Sequence, residues 1–290
     1  MTAAVEQVAG RSLWQDAQHR LRRNRAAVIA LMLIIGITAL SIVGPWAAPH
    51  PYDTLNYDFI AIAPNLAHGF FLGTDAVGRD LFVRILYGVR ISLMVALAAT
   101  TVSLTIGIVY GAVAGYVGGR LDEAMMRVVD VLYSLPFMFF VIILMVVFGR
   151  NIILMFLALG AVEWLTMARI VRGQAMSLKN REFIEAAIAA GARTPTIIRR
   201  HIIPNLLGPV VVYVTLTIPQ VILVESFLSF LGLGVQEPLT SLGVLISEGA
   251  DEMETAPWML IFPAATLAVL LFSFNFLGDG VRDALDPKDR

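Results

Sequence analysis

Two carboxylates stand where a charge would matter most. Glu163 interrupts the apolar run Ile152–Val171, and Glu225 falls near one end of the run Leu206–Phe230. An unpaired charge in a hydrocarbon layer is expensive, so an acid in such a run asks for a wet pathway or a basic partner. Glu163 precedes Arg169 by six residues, which also allows an interfacial structural acid near the end of its run. Glu225 shares a polar strip with Ser226 and Ser229, which points to an outer-mouth or subunit-interface role. Pro219, mid-run, removes a backbone hydrogen bond and predicts a kink, either beside a pathway or as a purely structural bend.

Other chemistries lack a matching set of residues. There is no G-x-x-x-x-G-K-[ST] loop to cradle ATP. There is no H-E-x-x-H, and His19, His50, His68 and His201 are scattered, which disfavours a metal site. No G-x-S-x-G elbow occurs, and Gly278-Asp279-Gly280 supplies one aspartate rather than a dyad. The absence of cysteine excludes disulfides and zinc–thiolate sites. An enzyme finds no support in these residues.

The elements that must position the two acids are membrane spans. The chain is 58% hydrophobic and only 15% charged, with a mean hydropathy of +0.78, far from a soluble domain. Its formal net charge of −1 argues against a nucleic-acid partner. Six runs are long and apolar enough to cross a core of about 30 Å. They are Ala26–Val43, Ile91–Val113, Val131–Phe148, Ile152–Val171, Leu206–Phe230 and Trp258–Leu277. The first run follows a polar segment, 1–25, and no cleavage motif follows it, so it reads as a permanent span. Of the 21 lysines and arginines, all but Arg79, Arg84, Arg90 and Arg150 fall on the side of the N-terminal segment. The positive-inside rule then puts both termini, including the tail 279–290, in the cytoplasm.

Several features sit between or within these runs. In the external segment 44–90, Asp75–Val89 puts Leu81, Phe82, Ile85 and Leu86 on one helical face, with Asp80 and Arg84 four apart. That predicts an amphipathic helix in the outer interface, or one packed on the spans. Gly107, Gly111, Gly115 and Gly119 recur every fourth residue and predict a close helix–helix contact, within the subunit or across to another. The external segment Gly232–Pro257 carries Glu237, Glu248, Asp251, Glu252 and Glu254 without a basic residue. That acidic face suits a basic patch on a delivered protein, or is an ordinary solvated loop.

The long polar interruption is Arg181–Asn205, REFIEAAIAAGARTPTIIRRHIIPN. Glu182–Ala190 is an Ala-rich helix former, and Gly191 can end it in a left-handed cap. Thr194-Pro195 suits a second helix start, carrying Ile197, Ile198, Arg199 and Arg200, with Pro204 closing it. A cytoplasmic helix–turn–helix is expected.

Glu185-Ala186-Ala187, Gly191 four residues later, and His201-Ile202-Ile203-Pro204 resemble the EAA loop of bacterial ABC importer permeases. The ending departs from the general I-x-L-P form at His201 and Ile203, and a His is common there in the peptide-transporter branch. Gly73-Thr74-Asp75 with Gly78-Arg79-Asp80, the stretch Glu225–Gly234 and the tail Gly278–Pro287 match in the same order. Over nearly the whole chain the sequence is similar to the oligopeptide/dipeptide permeases, most of all to their C-subunit type.

That resemblance implies an all-α type I ABC importer bundle of six transmembrane helices, with the permease domain over 86–278 and the coupling loop at 181–205. It implies a multi-pass subunit of the bacterial inner membrane that forms half of a pathway for oligopeptides. The implied partners are a homologous second permease, two ABC ATPases, a periplasmic or lipid-anchored peptide-binding protein, and the peptide. The chain itself would bind no cofactor, ATP–Mg belonging to the ATPases. Glu185, Ala186, Ala187, Gly191, Arg199, Arg200, His201 and Pro204 would dock the loop, with Glu185 capping or salt-bridging it and Arg199 and Arg200 donating to the ATPase. Alternatives are a permease for dipeptides, nickel or another small solute, and, in a different class, an ion-driven secondary transporter. The latter predicts inverted repeats and broken helices, and no convincing repeat is present.

Overall fold

The computed structural model describes residues 13–285. Arg11, Lys288 and Arg290, counted above toward orientation, and Asp286 and Pro287 of the family-like tail lie outside the described residues. Among the described residues there are eleven α-helices and no β-strand. Five helices are long and apolar enough to cross a membrane, or six if one bent pair is a single span.

Helix α1 (Leu13–Arg23) stops at Asn24, whose side chain accepts from the Ala27 amide (3.2 Å) and starts α2 (Arg25–Ala47). The segment between α2 and the next long helix then folds as two short 3-10 turns, Tyr57–Phe59 and Leu66–His68, before the two G-x-D motifs. Helix α3 (Leu81–Val117) follows without a break and is 37 residues long. At 1.5 Å per residue it extends about 55 Å, well beyond a hydrocarbon core. The expected interfacial helix is therefore corrected: Leu81–Val89 is the first part of α3. Its amphipathic face is real, but Leu81, Ile85 and Val89 are buried in the bundle core together with Leu242 and Leu245. No breaker separates Val89 from Ile91. Arg90, at the junction, donates to the carbonyls of Ser41 and Ile42.

The third span is also corrected. Helices α4 (Gly119–Ser134) and α5 (Phe137–Phe148) meet at an angle of 77° instead of forming one span from Val131. Pro136 is the cause: it lacks an N–H and holds Leu135 extended (φ −74°, ψ 136°). Helix α6 (Ile152–Lys179) is capped by Asn151, which accepts from the Ile153 amide at 2.8 Å.

Helices α7 (Glu182–Ala189) and α8 (Thr194–Ile197) form the expected hairpin. Pro204 does not close it. A π-helical turn, Ile198–Ile202, carries the backbone straight into α9 (Ile203–Phe230). Pro204 lies just after the π-helical turn, inside one continuous helix from Thr194 to Phe230. Helix α9 stays helical through Pro209 and Pro219. A short helix, α10 (Leu242–Asp251), capped by Ser241, precedes α11 (Trp258–Leu285).

The closest helix pair is α3 against α6. A Cβ at Gly107 would stand 2.6 Å from Met167 Cβ, and one at Gly115 would meet the Arg172 carbonyl at 2.5 Å. A Cβ at Gly111 would strike the Ala168 carbonyl and come within 2.8 Å of Val171 Cβ. Gly119 is not part of this row. Helix α3 ends at Val117, Gly119 has φ +60°, and nothing lies within 4 Å of its missing side chain.

Gly111→Val is expected to destabilise the detergent-solubilised protein by about 1–3 kcal/mol, because backbone faces backbone with no room to repack. Gly36→Ala on α2, where nothing lies within 4 Å, is expected to be neutral or slightly stabilising. Thermal unfolding of the two variants checks the pair, and equal midpoints would refute the close contact.

Candidate functional site

The hairpin between α6 and α9 is closed by its backbone. Arg181 precedes α7 in an extended conformation, and Glu182 and Glu185 occupy the first turn, where the helix dipole favours acids. At the other end Gly191 adopts φ +80°. The Gly191 amide donates to Ile188 O (2.9 Å) and the Ala192 amide to Ala187 O (3.0 Å), the two bonds of a Schellman cap. Glu185 forms no ion pair among the described residues, so its expected capping or salt-bridging role is corrected. The turn is held without it.

The inner face of the hairpin is locked to the bundle. Ile184, Ile197 and Ile202 are fully buried with Ala112 and Tyr116 of α3, Val171 and Ala175 of α6, and Leu206 of α9. The outer face is open. Glu185, Ala186, Gly191, Arg199, Arg200 and Pro204 are exposed, while Ala187 and His201 are half-buried. Arg199 and Arg200 have no acidic partner among the described residues. The sequence reading missed Phe183 and Ile188, which are 41% and 54% exposed on this polar hairpin. The available signal was two large apolar residues in a short helix that also carries Glu182 and Glu185 and follows Arg181.

Behind the hairpin, Arg172 of α6 grips Asp122 of α4 through two bonds (2.5 and 2.7 Å), and Arg169 pairs with Asp130 (2.8 Å). These pairs tie α4 to α6 beside the Gly111 and Gly115 contact.

Glu225 is fully buried and lines no open surface of this chain, which corrects the mouth or interface role. Ser229 donates to it at 2.8 Å and Ser92 of α3 at 3.1 Å. The Ser92 hydroxyl also accepts from the Leu242 amide of α10 (3.2 Å). Glu225, Ser229 and Ser92 thus pin α3, α9 and α10 together, and the Ser226 backbone packs against Gly243. Pro219 is buried in the same helix.

The G-x-D motifs form a clamp ahead of α3. Asp75 accepts from Arg79 Nε (2.6 Å) and Arg84 Nη1 (2.5 Å), and also from the Val77 and Arg79 amides. Arg84 continues to Glu248 of α10 (2.7 Å), and Arg79 to Glu237 (2.9 Å). Two acids of the supposed acidic face are therefore engaged inside the chain. Asp80 caps α3 by accepting from the Phe82 amide (2.9 Å). Burial pushes the Asp80 carboxyl above its ordinary range, the Val83 and Phe82 N–H groups pulling the other way.

Comparison with known proteins decides the class. Residues 107–290 match the family model "binding-protein-dependent transport system inner membrane component". The chain belongs to that family. Residues 12–67 match a second model, the N-terminal TM domain of oligopeptide transport permease C. The oligopeptide transport system permease protein OppC of Escherichia coli K12 is 59% identical over 284 residues, 98% of this chain and 94% of that one. The dipeptide transport system permease protein DppC of Bacillus subtilis is 44% identical over 280 residues, 96% and 87% of the two chains. A solved chain of the MetNI methionine ABC transporter, titled as inward facing, superposes with a TM-score of 0.57 at 20% identity. It covers 70% of this chain and 96% of that one, and shows a common fold. The protein is thus an inner-membrane ABC importer permease with the type I bundle, and the ion-driven transporter alternative loses its support.

Two predictions concern the clamp. Asp75→Ala leaves buried Arg84 with Glu248 alone and strips the Val77 and Arg79 amides of their acceptor, and is expected to cost about 2–3 kcal/mol, whereas Glu237→Ala, at a carboxylate 70% exposed, is expected to cost under about 1 kcal/mol. Unfolding in detergent compares them. For Asp80 the folded value lies above the unfolded one, so its contribution is fully present below pH 3.8 and lost as pH rises through the folded value. Asp80→Asn keeps a capping acceptor and removes that loss. Its midpoint, relative to the native protein, is expected to rise as the pH is raised from acid to neutral; a constant offset would refute the assignment.

Proposed function

We propose that the chain is one of two homologous permeases of an ATP-driven importer of oligopeptides, and that the hairpin of α7 and α8 docks into an ABC ATPase. The observation that carries this reading is an outer face with free cations and exposed apolar side chains on an element rigidly fused to three spans. Arg199 and Arg200 supply donors to acids or carbonyls of the ATPase, and Phe183 and Ile188 supply apolar contact. Glu185, Ala186, Ala187, Gly191, His201 and Pro204 shape the docking element; the alanines and glycine admit a close neighbour.

In this reading closure of two ATPases around ATP–Mg moves the hairpin, and α3, α6 and α9 move with it as a body. The chain carries no nucleotide of its own. A binding protein, periplasmic or lipid-anchored, delivers the peptide from the side opposite the hairpin, which is the cytoplasmic side. High identity to OppC proteins supports oligopeptides as the cargo, ahead of the dipeptides or other small solutes carried by relatives at lower identity.

Purification of the complex through a tag on this chain is expected to recover a second permease and one or two ATPases. Replacing Arg199 and Arg200 together by Glu is expected to lower ATPase recovery about tenfold or more, equivalent to roughly 1.4 kcal/mol, with the second permease retained. Unchanged ATPase recovery would place the docking face elsewhere.

A further inference from the structure

The bend at Pro136 opens a cavity of about 500 Å³ between α4, α5 and α6. Its lining is mostly apolar, with Leu132, Phe137 and Phe140, and the polar groups Tyr133, Thr166 and Glu163. That volume suits a small ligand or one to two peptide residues, within the usual range of roughly 300–1,000 Å³ for binding cavities.

Glu163 is the unusual member. It lies in the interior of a membrane-spanning helix, yet no Lys or Arg pairs with it among the described residues. The two arginines that follow it on α6 are already engaged, Arg169 with Asp130 and Arg172 with Asp122. Arg169 also lies over the Tyr133 ring, 4.3 Å from its centre. One face of the Tyr133 ring is thus covered by a cation of this chain, which leaves Phe137 and Phe140 as the aromatic walls. Contrast Glu225, whose carboxylate is enclosed and bonded by serines. Glu163 instead lines the cavity, with Tyr213 of α9 beside it and no cation opposite among the described residues. A carboxylate with aromatic neighbours in an apolar hollow attracts ammonium and guanidinium groups, and repels anions.

We propose that this cavity receives cationic side chains of transported peptides, with Glu163 as the selecting group. The inference rests on the peptide-importer reading above. It places a charge preference within the permease, separate from any preference of the binding protein.

The test is uptake by the complete complex in proteoliposomes, with saturating binding protein loaded with Ala-Lys-Ala, Ala-Ala-Ala or Ala-Glu-Ala. The same binding protein serves every variant, so its own preference cancels when ratios are compared. Glu163→Gln is expected to lower the ratio of Lys-peptide to Glu-peptide uptake about tenfold, the size of one modest charge contact. Glu163→Lys is expected to invert the ratio, and Glu163→Asp to keep it near the native value. An unchanged ratio in Glu163→Gln overturns the proposal, whether overall uptake is kept or falls equally for all three peptides. Loss of the second permease from the Glu163→Gln complex also overturns it, because Glu163 would then pair with a cation of that subunit. If the native complex moves none of the three peptides, the importer reading itself fails, a result distinct from these.

Discussion

The bundle depends on how closely α6 can approach α3. Gly107, Gly111 and Gly115 remove side chains from one side of α3, and the backbone of α6 occupies the vacated space at Ala168 and Arg172. In lipid there is no hydrophobic drive between helices, so such packing and the bonds around it must hold the pair. The contact reaches the hairpin directly. Met167, Val171 and Ala175 of α6 share a buried cluster with Ala112 and Tyr116 of α3, and with Ile184, Ile197 and Ile202 of the hairpin. Any displacement of the hairpin would disturb a cluster that it shares with α3, α6 and α9.

Charges follow the same logic. Where a helix carries a charged side chain into the structure, a partner from another element meets it: Arg84 with Asp75 and Glu248, Arg172 with Asp122, Arg169 with Asp130. Glu225 finds hydroxyls instead of a cation. Each pairing also fixes a geometry, since Arg84 joins the start of α3 to α10 and Arg172 joins α6 to α4. Glu163 alone among these helix-borne groups lines a hollow with no cation opposite it among the described residues. That contrast, more than its position in an apolar run, separates it from Glu225.

Local signals were legible in the sequence wherever a residue acts through its own backbone. Gly191 ends α7 through its positive φ, and the long apolar runs become helices. Features set by tertiary contact were not. Leu81–Val89 looks interfacial because its polar side is charged, but Asp75 and Glu248 neutralise Arg84 and let the segment continue as α3. Pro136 was visible, yet the 77° bend needs α6 beside it to determine which way α5 turns. Gly119 kept the spacing of its predecessors after the helix had already ended at Val117. Helix α10 escaped notice because it is only ten residues long and depends on Ser92 and Arg84 for its place.

Exposed apolar side chains carry different meanings at the two depths of this chain. Phe139, Ile143, Val146 and Val147 of α5 are all more than 60% exposed, but lipid solvates them as well as another helix would. Their exposure alone does not distinguish a lipid-facing surface from a subunit contact. Phe183 and Ile188 belong to a short helix outside every candidate span, flanked by Glu182, Glu185 and free arginines. There the surrounding medium is water, and each exposed apolar Å² costs about 25 cal/mol. The cost is relieved only by a protein surface that covers them. For this reason the two side chains on the hairpin say more about assembly than the broader apolar face of α5.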